Sequence, residues 1–144
     1  MDITYGYTIT TADYTNLRKS AGWSTFSEKQ AQAGINNSTY LVAAYDDVLT
    51  VGTARVIYDG GYIAFIADVI VLPEYQKQGI GKTMMDMIMS FLNNSLEAGE
   101  VCYVCLMAAH GKEGFYQRLG FEDRPNEHLG AGMTKWIKKD KITL

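Results

Sequence analysis

Apolar and polar positions change period several times along the chain, and each change marks an element. Ile3 to Ile9 alternate enough for a first strand. Thr10-Thr11-Ala12-Asp13 joins a hydroxyl cap to an early acid, and predicts a helix to about Ser20, broken by Gly22. Ser24 or Ser27 can cap a second helix through SEKQAQAGI, ending near Gly34 and the Asn36-Asn37 turn. Thr39 to Tyr45 and Leu49 to Tyr58 read as strands joined at Asp46-Asp47. Asp59-Gly60-Gly61 makes a further tight turn into a long strand, Tyr62 to Leu72.

From Gly79 the period becomes helical. Ile80, Met84, Met87, Ile88, Phe91 and Leu92 recur on one face to about Leu96. Gly99 stops that helix, and Val101 to Met107 is the next strand, parallel to Tyr62–Leu72 because the helix between them makes a crossover. A short helix fits Lys112 to Leu119, and a last pair of strands is expected near Phe121–Asp123 and Met133–Lys138. The order β-α-α-β-β-β-α-β-α-β-β predicts an α/β fold, a mixed sheet with helices on both faces.

Composition narrows the class. A chain of 144 residues, 47% hydrophobic and 20% charged, suits one globular domain over residues 1–144. The formal net charge of -3 argues against a nucleic-acid binder, which carries a basic face, and is compatible with a cationic amine. The opening residues lack a signal-peptide pattern, and no apolar run approaches the roughly 20 residues needed to span a bilayer, so a cytoplasmic protein with no membrane partner is expected. Cys102 and Cys105 form C-x-x-C, but on a strand an offset of three puts them on opposite faces, where they neither pair nor share a metal. Two isolated histidines, His110 and His128, make no metal site either, and none is expected.

The chemistry concentrates in QKQGIGKT, Gln76 to Thr83, between the long strand and the long helix. A helix start carries unpaired N–H groups and partial positive charge, and Gly79 and Gly81 remove side chains that would keep an anion away. A P-loop would need glycine at position 76, which is Gln, and a dinucleotide fingerprint would need glycine at 84, which is Met. The pattern [Arg/Gln]-x-x-Gly-x-[Gly/Ala] fits at Gln76, Gly79 and Gly81.

In that setting, after Asp68-Val69-Ile70-Val71 and Leu72-Pro73-Glu74-Tyr75, the hexapeptide resembles the acyl-CoA pyrophosphate loop of the GCN5-related N-acetyltransferases (GNAT). Phe115-Tyr116-Gln117-Arg118-Leu119-Gly120-Phe121 resembles the family's F-Y-x-x-x-G-F segment, and the element order is similar over essentially the whole chain. Leu17 to Trp23 and Arg124 to Met133 look like a branch of small bacterial single-domain amine acetyltransferases.

The resemblance implies a GNAT fold with splayed fourth and fifth strands, and acetyl-CoA as co-substrate. It implies transfer of the acetyl group to a primary amine of a small molecule or a peptide, by direct attack on the thioester. Backbone groups of Ile70 and Val71 would pair with the pantetheine arm. Gln76, Lys77, Gln78, Gly79, Ile80, Gly81 and Lys82 would hold the pyrophosphate, with His110 and Phe115 near the cofactor arm. Tyr116 takes the place of the general acid, and Asp68, an acid in an apolar strand, is the first choice for general base. The alternative for Asp68 is a buried carboxylate satisfied by backbone or Arg55. Trp23, Phe26 and His128 are candidate acceptor-binding residues, though core packing explains Trp23 equally well. Ala109 stands where the family often has Asn. A homodimer is the oligomeric expectation. A non-catalytic acyl-CoA-binding module is the rival reading, distinguished by indifference to Tyr116.

Overall fold

The structure, a computed structural model, describes residues 2–140. The chain falls into two compact units, Met1–Leu106 and Met107–Leu144. The first holds β1 (Ile3–Gly6), α1 (Thr11–Ser20), α2 (Glu28–Asn36), β2 (Tyr40–Asp46), β3 (Leu49–Tyr58), β4 (Ile63–Val71), a 3-10 turn (Pro73–Tyr75), α3 (Ile80–Asn94) and β5 (Tyr103–Leu106). The second holds α4 (Glu113–Gln117).

The five strands form one sheet in the order β1-β2-β3-β4-β5. The first four pair antiparallel, and β4 pairs with β5 in parallel, as the crossover through α3 requires. The helices cap as the sequence suggests: the Thr10 hydroxyl accepts from the Asp13 amide, and the Ser27 hydroxyl accepts from the Gln30 amide. Ser27, not Ser24, is therefore the cap of α2.

Two layers of helix sandwich the sheet. On one side Tyr40 of β2, register partner of Val56, stacks on Phe91 of α3 at 4.5 Å between ring centroids. Arg55, one position away on β3 and so on the opposite face, reaches the Gly34 carbonyl of α2. The core under α3 is Ile80, Met84, Met85, Ile88 and Leu92. Met85 thus replaces the expected Met87. Met87 and Phe91 are half-buried at the flank, where with Tyr7 and Tyr40 they line an open concavity of about 620 Å³.

The closing pair of strands expected near Phe121–Asp123 and Met133–Lys138 is not formed: among the described residues no strand follows β5. A strand exists only where a neighbour accepts and donates its backbone hydrogen bonds, and residues 131–140 are solvent-exposed throughout. The described order is therefore β-α-α-β-β-β-α-β-α. No helix among the described residues is long and apolar enough to cross a membrane.

Candidate functional site

Two features of β4 make an opening in the sheet. Its pairing with β5 covers Ile63 to Ile66, so among the described residues the edge from Ala67 to Val71 on that side has no strand partner. Toward β3, Ile70 faces Thr53 and Ala67 faces Arg55, so Asp68 and Val69 together oppose Ala54 alone. This bulge puts Asp68 at φ 55, in the left-handed region that Asp tolerates better than most residues.

A carboxylate at such a point, with 9% of its side chain exposed, needs partners. Asp68 Oδ1 accepts from Arg18 Nη1 at 2.5 Å. Its Oδ2 accepts from Arg55 Nε at 2.8 Å and from the Tyr14 hydroxyl at 2.7 Å. Burial raises the Tyr14 phenol pKa, and the hydrogen bond and negative charge of Asp68 add to that shift. Both carboxylate oxygens are thus engaged. Arg55 is the partner that the sequence offers as an alternative; Arg18 and Tyr14 join it from α1. The signal for them is an Arg and a Tyr at helical spacing with buried Leu17 on the inward stripe of α1.

Arg18 also ties together two of the expected acceptor residues, Trp23 and Phe26. Its Nε donates to the Ser24 carbonyl at 2.7 Å, and its guanidinium lies over the rings of Phe26 at 4.8 Å and Trp23 at 5.4 Å. The segment after α1 is therefore fastened to the β4 bulge through one side chain.

Beyond Val71 the chain makes the 3-10 turn, whose Tyr75 hydroxyl donates to Asp46 Oδ2 at 2.7 Å. Gln76 Nε2 donates to the Val71 carbonyl at 2.9 Å, and Gln78 Nε2 donates to the Glu74 carbonyl at 3.2 Å. Lys77 at φ 60 and Gly79 at φ 84 turn the backbone into α3. Gly79 occupies the cap position, so no side chain caps α3, and the N–H groups of its first turn point outward. A Cβ placed on Gly79 would meet nothing within 4 Å, so the space around this turn is open. Lys77 is exposed, and Lys82 Nζ pairs with Asp86 one turn on at 2.6 Å.

In the second unit, α4 is shorter than Lys112–Leu119 and carries Tyr116 as its buried residue. The Tyr116 ring packs against Phe115 at 5.0 Å and edge-on to Phe121 at 5.9 Å. Its carbonyl accepts from the Phe121 amide across the turn at Gly120, φ 93. Burial raises the Tyr116 phenol pKa above its ordinary value near 10. His110 and His128 are both exposed. Cys102 and Cys105 are free thiols, and no cluster of metal-ligating side chains occurs among the described residues.

A parallel strand pair that parts after four residues leads here into a glycine-started helix with no side-chain cap, a mixed α/β arrangement shared with solved acetyltransferase structures. A family model described as an acetyltransferase (GNAT) domain matches residues 36–123, and the chain belongs to that family. A probable acetyltransferase of unknown function from meticillin-resistant Staphylococcus aureus superposes with a TM-score of 0.83 at 34% identity, covering 96% of this chain and 100% of the other. A GNAT family protein of Streptococcus pneumoniae gives 0.74 at 28% identity, covering 96% and 98%. An uncharacterized N-acetyltransferase of Pyropia yezoensis is 28% identical over 114 residues, 76% of this chain and 63% of its own length. The chain spans under two thirds of the length of the curated relatives it matches.

Proposed function

We propose that this chain transfers the acetyl group of acetyl-CoA to a primary amine of a small molecule or a peptide. The observation that carries this reading is the continuity of the unpaired Ala67–Val71 edge of β4 with the open start of α3. An extended arm ending in a pyrophosphate has those two needs: a strand edge to pair with, and a cluster of N–H donors for its charge. The thioester supplies an acetyl group activated toward a neutral amine.

The chain's residues divide the remaining work. Backbone groups of Ile70 and Val71 bind the pantetheine arm, and the turn from Gln76 to Lys82 holds the pyrophosphate. Gly79 permits the left-handed turn that exposes the first N–H groups of α3, while Lys77 adds charge at the rim. His110 and Phe115 belong to the same cofactor arm. Tyr116 holds a proton at its hydroxyl throughout the neutral range and donates it to the departing thiolate. Trp23 and Phe26 form a wall for the acceptor, with His128 on a loop at its mouth. Asp68 acts through what it holds, keeping the bulge and the aromatic segment in place. The amine's proton then leaves through water.

The test is thiol release from acetyl-CoA across a broad panel of amines and peptides, with wild type beside Tyr116→Phe. Acceptor-dependent release that falls sharply in the variant is the expected result. Tight CoA binding with no release against the whole panel, indifferent to Tyr116→Phe, would point instead to a non-catalytic acyl-CoA-binding module.

A further inference from the structure

Arg18 and Arg55 hold one oxygen each of Asp68, and their side chains are 11% and 16% exposed. Their hydrogen bonds use only part of each guanidinium. Arg18 donates through Nε to the Ser24 carbonyl and through Nη1 to Asp68. Arg55 donates through Nε to Asp68 and through Nη1 to the Gly34 carbonyl and the Ser38 hydroxyl. Neither Nη2 has a protein partner among the described residues, yet no fully buried side-chain nitrogen or oxygen there lacks one. Both Nη2 groups therefore reach the surface, with N–H donors to spare. A Cβ on Gly34 would lie 3.7 Å from Arg55 Nη2, so α2 sets backbone and no side chain against it.

The charges do not balance. Two guanidinium groups share one carboxylate, and Tyr14, its third partner, is an uncharged phenol, so one positive charge has no counter-charge in the cluster. A single guanidinium would have neutralised Asp68. A second one, held so far from water, favours the arrival of an anion.

We propose that the acceptor amine also carries an anionic oxygen group, a carboxylate or a phosphate ester, and that Nη2 of Arg18 and of Arg55 bind it. The proposal rests on the acetyl-transfer reading and narrows its acceptor. A guanidinium presents planar N–H donors in a fork that matches carboxylate and phosphate oxygens. The fork of Arg18 is fixed in advance by its two hydrogen bonds and by the rings of Phe26 and Trp23. Those rings also lower the local dielectric, which strengthens an ion contact. Asp68 stands two residues before Ile70, so an anion held beside it keeps the amine near the edge assigned to the cofactor arm. The chain as a whole carries -3, but charges beyond about 10 Å are screened at ordinary salt, and the local excess decides. Acceptors with several positive charges are repelled.

The experiment measures initial rates of thiol release from acetyl-CoA with matched acceptors that differ only in the anionic group. Each common amino acid is run beside its carboxamide, and aminoethyl phosphate beside ethanolamine, which separates carboxylate from phosphate. The best anionic acceptor should exceed its neutral partner by about tenfold or more in kcat/KM, with the difference in KM. In Arg18→Gln that KM should rise while the neutral partner is unaffected, so the gap narrows. If circular dichroism shows the variant unfolded, wild type decides: the best acceptor with its amine replaced by hydrogen should compete with the acceptor and not with acetyl-CoA. Neutral amines accepted as well as their anionic partners, a gap equally wide in folded Arg18→Gln, or no such competition would overturn the proposal and leave acetyl transfer standing. Release with no amine at all would overturn acetyl transfer itself, and the proposal with it.

Discussion

Arg18 and Asp68 meet at 2.5 Å although 50 residues separate them in the chain. Through that contact α1 holds β4 at the one position where the strand leaves its regular register. Arg55 and Tyr14 complete the arrangement from β3 and α1. The bulge, the aromatic segment and the inward face of α1 therefore share a single carboxylate.

Removing that carboxylate should be costly. Asp68→Ala strands two guanidinium groups of 11% and 16% side-chain exposure, and loss of a partner from such a buried pair costs about 3–5 kcal/mol. Urea unfolding of the variant should show a loss of that order. A loss below about 1 kcal/mol would mean that the network contributes little and that Asp68 is free for another role.

Gly79→Ala separates backbone conformation from bulk. The site has room for a methyl group, so the cost comes from holding a non-glycine residue at φ 84, about 1–2 kcal/mol. Calorimetric titration should show weaker CoA binding, because relief of the strain turns the first N–H groups of α3 away. Affinity equal to wild type would sink the assignment of this turn to the pyrophosphate.

For Tyr116→Phe, kcat should fall by about a hundredfold or more, with the KM for acetyl-CoA little changed. Burial keeps the Tyr116 phenol protonated beyond its ordinary range, so activity in wild type should not lose this proton donor until above about pH 10. A pH-rate profile that breaks near neutrality in wild type and in Tyr116→Phe alike would assign the break to another group.

Stability should fall at alkaline pH, and the sign follows from the tyrosines. The Tyr14 phenol, buried and donating to Asp68, has a raised pKa in the folded state, as does Tyr116. Around and above the ordinary value near 10 the folded chain retains protons that the unfolded chain has released. Stability from this source is complete below about pH 10 and is lost as pH rises through the folded-state values. Thermal unfolding from pH 8 to 11 should show the decline, and Tyr14→Phe should make it shallower. An unchanged slope in that variant would remove Tyr14 from the account.

Much of this was legible before any fold. Alternating and helical periods placed nine elements, because side chains that share a face must share an environment whatever lies opposite. The helix cap at Thr10 and the glycine turn at Gly79 are local and fall where residue types put them, whereas the choice of Ser27 over Ser24 for the second cap came with the structure. Met85 in place of Met87 shows the limit of that reasoning: both are apolar and two positions apart, and only the neighbours of α3 select between them. The closing strands show it more plainly. Met133 to Lys138 has a strand's pattern, but a strand is a relationship between two segments, and the pattern names only one.

The sequence by itself determined the order of the elements, the parallel crossover and the glycine turn at the head of α3, since each depends on residues near one another in the chain. Only the tertiary structure decided that Asp68 is shared among Arg18, Arg55 and Tyr14, that β4 bulges there, and that β5 leaves it after Ile66. A buried charge must find its partners among whatever side chains folding brings within hydrogen-bond reach. That choice is made by packing in three dimensions, over separations in sequence that no local pattern records.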